Sequence, residues 1–226
     1  MRHPANPRWV APAIAVGLVA AWETGARMGW IPTLFFPAPS LTLATLGELA
    51  VNGALVHNLW VTITRMSVAL VMGGGAGLIV GLAMGYSPRL RNVFDPFVAA
   101  LHPVPRMALL PVILLLFGLG FLAKALVVAV ATFFPMAINS MAGVRQLDPQ
   151  YFEVARVYGA SRWRVFWRLV LPGSLPMILA GARLAMNRAL GATVGLELIT
   201  AYDGLGSMLF TAWQTYRTEE RTEPCW

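Results

Sequence analysis

The feature that most constrains this chain is a series of apolar runs about as long as a bilayer is thick. A membrane-crossing helix takes roughly 20 apolar residues, and such runs occur at about 10–28, 60–86, 97–117, 122–143 and 175–200. Composition closes off the soluble alternative, because 58% of the residues are hydrophobic and 12% charged, where soluble domains carry about 25% charged residues. The reading is an all-α membrane protein, a polytopic helical bundle of five full spans in a single transmembrane domain over residues 1–226.

Local signals sharpen these runs. No small-residue cleavage pattern precedes Glu23, so the first run is a retained helix rather than a leader. Prolines at 32, 37 and 39 make 31–40 a loop, and Leu41–Val51 a short helix capped by Ser40. In 60–86, glycines recur at 73, 77, 81 and 85. That spacing puts a smooth groove on one helix face and predicts close packing on a neighbouring helix. The segment 86–96, with Ser87, Pro88, Arg89, Arg91, Asp95 and Pro96, reads as a connecting loop. Pro103, Pro105 and Pro111 break the 97–117 span, which faces the bundle interior or a pathway. Gly118-Leu119-Gly120 turns the chain into the next span.

The charge is +7, from 16 Arg and a single Lys against 10 acids. On a soluble domain such an excess points to nucleic acid; here it is the basic bias of cytoplasmic loops, and no nucleic-acid partner is implied. With the N-terminus inside, segments 1–9, 86–96 and 144–173 hold nine basic residues, while the opposite side holds Arg217 and Arg221 with Arg27 and Lys124 at its border. The N-terminus and 144–173 are therefore placed in the cytoplasm. Cys225 is the only cysteine, which excludes a disulfide framework and a cysteine metal site. Gly73-Gly74-Gly75 is no phosphate loop, because the one lysine, Lys124, is followed by Ala125. His3, His57 and His102 are too scattered for a metal or catalytic motif, and no catalytic residue, metal or cofactor is assigned.

Residues 144–173 are the one long stretch of dense charge. Apolar residues at Tyr151, Val154, Ala155 and Tyr158, then at Trp163, Phe166, Trp167 and Val170, predict two short amphipathic helices joined at Gly159, with Pro172 starting the next span. The segment reads Glu153-Val154-Ala155, Gly159, Leu169 and Leu171-Pro172 at the spacing of a known motif. It resembles the Glu-Ala-Ala loop of bacterial ABC importer permeases, with Val154 in place of the first Ala and Leu169 in place of Ile. Trp22-Glu23, Pro37-Ala38-Pro39-Ser40, Asp95-Pro96, Pro103-Val104-Pro105, Phe117-Gly118-Leu119-Gly120 and Asp148-Pro149 resemble the nitrate, sulfonate and taurine branch of that family. The resemblance covers about residues 10–217. It implies a permease subunit of the inner membrane that binds no ATP and couples through Glu153, Val154, Ala155, Gly159, Leu169, Leu171 and Pro172 to a separate cytoplasmic ATP-binding subunit. It further implies an extracytoplasmic solute-binding protein as donor and a homodimer in the membrane. The resembled subunits close with one more helix. The polar stretch 217–226 cannot be a span, so the sequence reads as lacking a sixth helix.

Charges inside the spans are the second constellation. Arg106, Arg183, Arg188 and Glu197 are the pathway candidates, while Arg65, near a helix end, is expected to snorkel. A cationic pathway suits an anionic solute such as nitrate, a sulfonate or taurine. Two alternatives stand beside the importer reading: a self-contained secondary transporter, which would show repeated interrupted helices and midplane carboxylates, and a truncated, inactive permease.

Overall fold

A computed structural model describes residues 9–32, 36–103, 109–118, 120–200 and 202–221. All regular structure among them is helical, as the apolar runs imply. The chain divides into two compact units, one of residues 1–58 with 212–226 and one of 59–211.

In the first unit, α1 (Val10–Arg27) and α2 (Pro39–Val51) are tied by polar side chains. The Glu23 carboxylate accepts from the Ser40 N–H at 3.0 Å and from its hydroxyl at 2.7 Å, and Arg27 donates to both Glu23 and Ser40. The two fragments Trp22-Glu23 and Pro37-Ala38-Pro39-Ser40 are thus one structural feature. Ser40 is not the cap expected of it. Ala38 holds the N-cap position and Pro39 the first helical one, where a missing N–H costs nothing; the Ser40 hydroxyl is spent on Glu23 instead.

The second unit is organised around α7 (Phe121–Arg145), whose face toward the neighbours is buried over most of its length. On one side runs a continuous helix, Ala54–Tyr86, made of α3 (Ala54–Ala69), a π-helical turn (Leu70–Gly74) and α4 (Gly75–Tyr86). The glycine row is the contact. A Cβ at Gly73, Gly77 or Gly81 would overlap the backbone carbonyl oxygen of Ala129, Phe133 or Ala137 respectively, and one at Gly85 would meet Val144 Cβ at 2.6 Å. In lipid, where hydrophobicity drives no association, such backbone approach supplies the packing energy. The other side of α7 receives α10 (Leu171–Thr200): Gly143 sits against Ser174 and Met177, and Gly181 against Asn139.

The structure departs from two of these readings. Residues 86–96 are not a loop, because α5 runs from Pro88 to Leu101; Ser87 accepts from the Leu90 N–H and Pro88 takes the first helical position, so one of the prolines that looked like breakers begins the helix and the other, Pro96, lies within it. The run 97–117 is divided between α5 and α6 (Leu110–Phe117), with Gly118 at φ +72° closing α6. Among the described residues, three helices are long and apolar enough to cross a membrane, Ala54–Tyr86, Phe121–Arg145 and Arg162–Thr200. Glu23 and Arg27 lower the hydropathy of α1, and α5 and α6 are 14 and 8 residues long.

Candidate functional site

The segment 144–173 forms α8 (Pro149–Val157) and α9 (Arg162–Val165). Asp148 caps α8 by accepting from the Gln150 N–H at 2.9 Å. The helix ends at Gly159, whose N–H donates to the Arg156 carbonyl at 3.0 Å and whose φ is +65°. Nothing lies within 4 Å of the position its Cβ would take, so backbone handedness and not space is what asks for glycine there. Ser161 then caps α9, which passes through a π-helical turn (Phe166–Val170) straight into α10. The second short helix is therefore the beginning of a 39-residue helix, Arg162–Thr200, and Pro172 lies within it rather than at its start. The wider turn ahead of Pro172 relieves the clash of its ring with the preceding carbonyl, and Ser174 donates its hydroxyl back to the Val170 carbonyl at 2.7 Å.

α8 has two faces. Phe152 packs with Leu147, Tyr86, Val165, Phe166 and Leu171 on the cluster of Leu82, Val144 and Val170, and Pro149, Glu153 and Arg156 share that inner side. Tyr151, Val154, Val157 and Tyr158 point away from it, the last two 84% exposed. The seven residues expected to act together are thus divided. Glu153 looks inward, Val154 outward, Leu171 belongs to the core edge, Leu169 is half-buried and Pro172 is exposed.

At the far end of α7 the structure collects charges that the chain keeps far apart. Arg65 on α3 and Glu197 on α10 form a fully buried ion pair, and Arg65 also donates to both oxygens of Asp203 at 2.9 Å. Lys124 at the start of α7 donates to Asp203 at 2.7 Å. Thr62, one turn before Arg65, donates to Glu197 at 2.8 Å and accepts from the Leu205 N–H at 2.9 Å, while the Gly206 N–H donates to Glu197 at 3.2 Å. Two cations and two anions make the cluster neutral, which is how such groups are carried in an apolar bundle. Burial pushes the Asp203 carboxyl up, but the hydrogen bond from Lys124 and the charge of Arg65 outweigh it and hold the group below its ordinary value. Gly204, at φ +97°, brings the chain so close that a Cβ there would overlap the Glu197 carboxylate.

Arg65 does not snorkel. Its side chain is wholly buried because Glu197 and Asp203 are within reach, partners that no local pattern around residue 65 announces. Glu197, expected among the pathway groups, has its carboxylate filled by Arg65, Thr62 and Gly206. Asp203 was missed altogether; its place just before Gly204-Leu205-Gly206 was the available signal. Arg183 and Arg188 stand exposed on α10, and among the described residues neither forms an ion pair. Ser174 lies level with Gly143 near one end of α7 and Glu197 near the other, so both arginines sit about 14–21 Å up α10 from Ser174, between the two ends of α7. Arg106 lies outside the described residues.

A family model described as "Binding-protein-dependent transport system inner membrane component" matches residues 73–226. The chain belongs to this family of transport permeases. Its match takes in the glycine row, α7, α8 and α10 together. Among curated relatives, the chain is 36% identical to the taurine transport system permease protein of Escherichia coli, over 89% of this chain and 75% of that protein. It is 33% identical to a putative aliphatic sulfonates transport permease protein of Bacillus subtilis, over 90% and 74%. It is also 33% identical to the formylaminopyrimidine transport permease protein of Halalkalibacterium halodurans, over 84% and 75%. These proteins are permeases, and the chain is a multi-pass inner-membrane permease.

Proposed function

We propose that this permease works as the membrane subunit of an ATP-binding-cassette importer and that α8 is the part a separate cytoplasmic ATPase grips. The observation that carries the reading is the outer face of α8. A nine-residue helix that leaves Tyr151, Val154, Val157 and Tyr158 in water presents an apolar patch for a partner. Its inner face is fastened to the bundle through Phe152, so a load on α8 reaches the ends of α4, α7 and α10. With no Gly-Lys-Ser/Thr loop, ATP hydrolysis falls to that partner.

The solute is a small anion delivered by an external binding protein, and two copies of the chain enclose its path. Arg183 and Arg188 support this. Charged side chains at mid-depth are costly against lipid, so their exposed side is covered by a second copy or by a water-filled pathway. The names of the taurine and aliphatic sulfonates relatives agree with a solute that carries a sulfonate group. Arg106 is assigned to the same path.

The test is a reconstituted transporter with its ATPase and binding protein. Val154→Asp and Tyr158→Asp should abolish solute-stimulated ATP hydrolysis while the chain still inserts. Transport at the wild-type rate in both variants would overturn the coupling role, and uptake driven by an ion gradient without the ATPase would favour the secondary transporter.

A further inference from the structure

The inner face of α8 closes a hollow that the coupling role leaves unused. Pro149, Phe152, Glu153 and Arg156 face the helix ends at Tyr86 and Arg145 across a cavity of about 410 Å³. A second cavity of about 340 Å³ shares Tyr86, Phe152 and Arg156 with the first and is bounded by Arg162. Three arginines therefore line the paired cavities against one acidic residue, Glu153, and among the described residues none of the four makes an ion pair. Guanidinium forks match phosphate oxygens in pairs and are weakly hydrated, so a concave site with surplus arginine over an aromatic floor suits a phosphate ester.

Position narrows the source of that phosphate. The cavities lie where Ala54–Tyr86 and Phe121–Arg145 end and where Arg162–Thr200 begins. Trp163 and Trp167 follow Arg162 on the same helix, edge to face at 5.5 Å and exposed by 72% and 50%. Exposed indoles next to the ends of spans mark headgroup depth, and basic pockets between spanning helices at that depth take anionic lipid headgroups.

We propose that the Arg145, Arg156 and Arg162 cavity binds the headgroup of an anionic phospholipid, which seats α8 from its inner side. The site uses the face of α8 opposite Val154 and Tyr158. It rests on the cytoplasmic placement of 144–173 only for which leaflet supplies the lipid.

The full chain is placed in nanodiscs of mixed phosphatidylglycerol and phosphatidylcholine, extracted, and its retained lipids are weighed by native mass spectrometry. Wild type should keep phosphatidylglycerol in preference to phosphatidylcholine. Arg156→Gln, which touches both cavities, should weaken that preference roughly fivefold, and Arg145→Gln with Arg156→Gln and Arg162→Gln roughly a hundredfold. The matching Arg→Lys triple variant should keep a clear part of it. Equal retention of the two lipids, or a glutamine triple variant that inserts and behaves as wild type, overturns the proposal. Displacement of the lipid by an equal concentration of soluble glycerol phosphate overturns the lipid assignment. Val154→Asp should leave lipid retention unchanged, so failure of the ATPase reading and failure of this one are separable.

Discussion

At the residue scale, the decisive feature is how the bundle carries Arg65, Lys124, Glu197 and Asp203. An ion pair out of water gains little over apolar packing, but removing one member strands the other. Arg65→Met should therefore destabilise the protein by about 3–5 kcal/mol, and Arg65→Met with Glu197→Met should recover a large share, measured as thermal unfolding in detergent. Asp203 adds a pH signature. Its folded value is depressed, so its contribution is whole above the ordinary aspartate range and disappears as pH falls through the lower folded value. The stability gap between wild type and Asp203→Asn should stay level from neutral pH down to that range and close only below it. Gly204→Ala meets both a positive φ and the Glu197 carboxylate, and should cost about 1–3 kcal/mol by the same assay.

At the element scale, two kinds of glycine do different work. Gly77 and Gly81 are there because α7 backbone occupies the space a side chain would need; Gly77→Leu should part α4 from α7 and abolish stable insertion, seen as loss of protease-resistant protein. Gly159 has open space around it and is there for its left-handed backbone. Gly159→Asn, which tolerates that conformation, should therefore couple nearly normally, whereas Gly159→Val should distort the end of α8 and lower solute-stimulated ATPase activity with insertion intact. Equal activity of the two variants would show that the turn does not matter to coupling.

At the scale of the whole molecule, the charged ends of α7 differ in kind. The end at Lys124 is neutralised internally, and the end at Arg145 carries arginines that form no ion pair among the described residues. That asymmetry is the form expected of a protein with residues 144–173 in the cytoplasm. The single native cysteine makes a direct check possible. On a Cys225→Ser background, Tyr158→Cys should react with an impermeant maleimide only from the cytoplasmic side and Tyr202→Cys only from outside, both residues being about 85% exposed. In the assembled transporter, Arg183→Gln and Arg188→Gln should slow uptake of an anionic solute while leaving basal ATP hydrolysis unchanged.

The helical class, the break in 97–117, the glycine packing row and the turn at Gly159 were legible in the sequence because each depends on neighbours in the chain: apolar periodicity, proline without an N–H, small residues four apart and backbone handedness. The helix at Pro88–Leu101 was not, because proline at a first helical position looks locally like a breaker. Nor was the continuity of Arg162–Thr200, which needs a π-helical turn to pass Pro172. The partners of Arg65 were least legible of all. Glu197 and Asp203 lie 132 and 138 positions away, so the sequence determined only that such charges must be paired or turned from lipid. Which charge met which, and which face of α8 was left outward, was decided by packing on α7, since contacts between helices distant in the chain exist only once the bundle has formed.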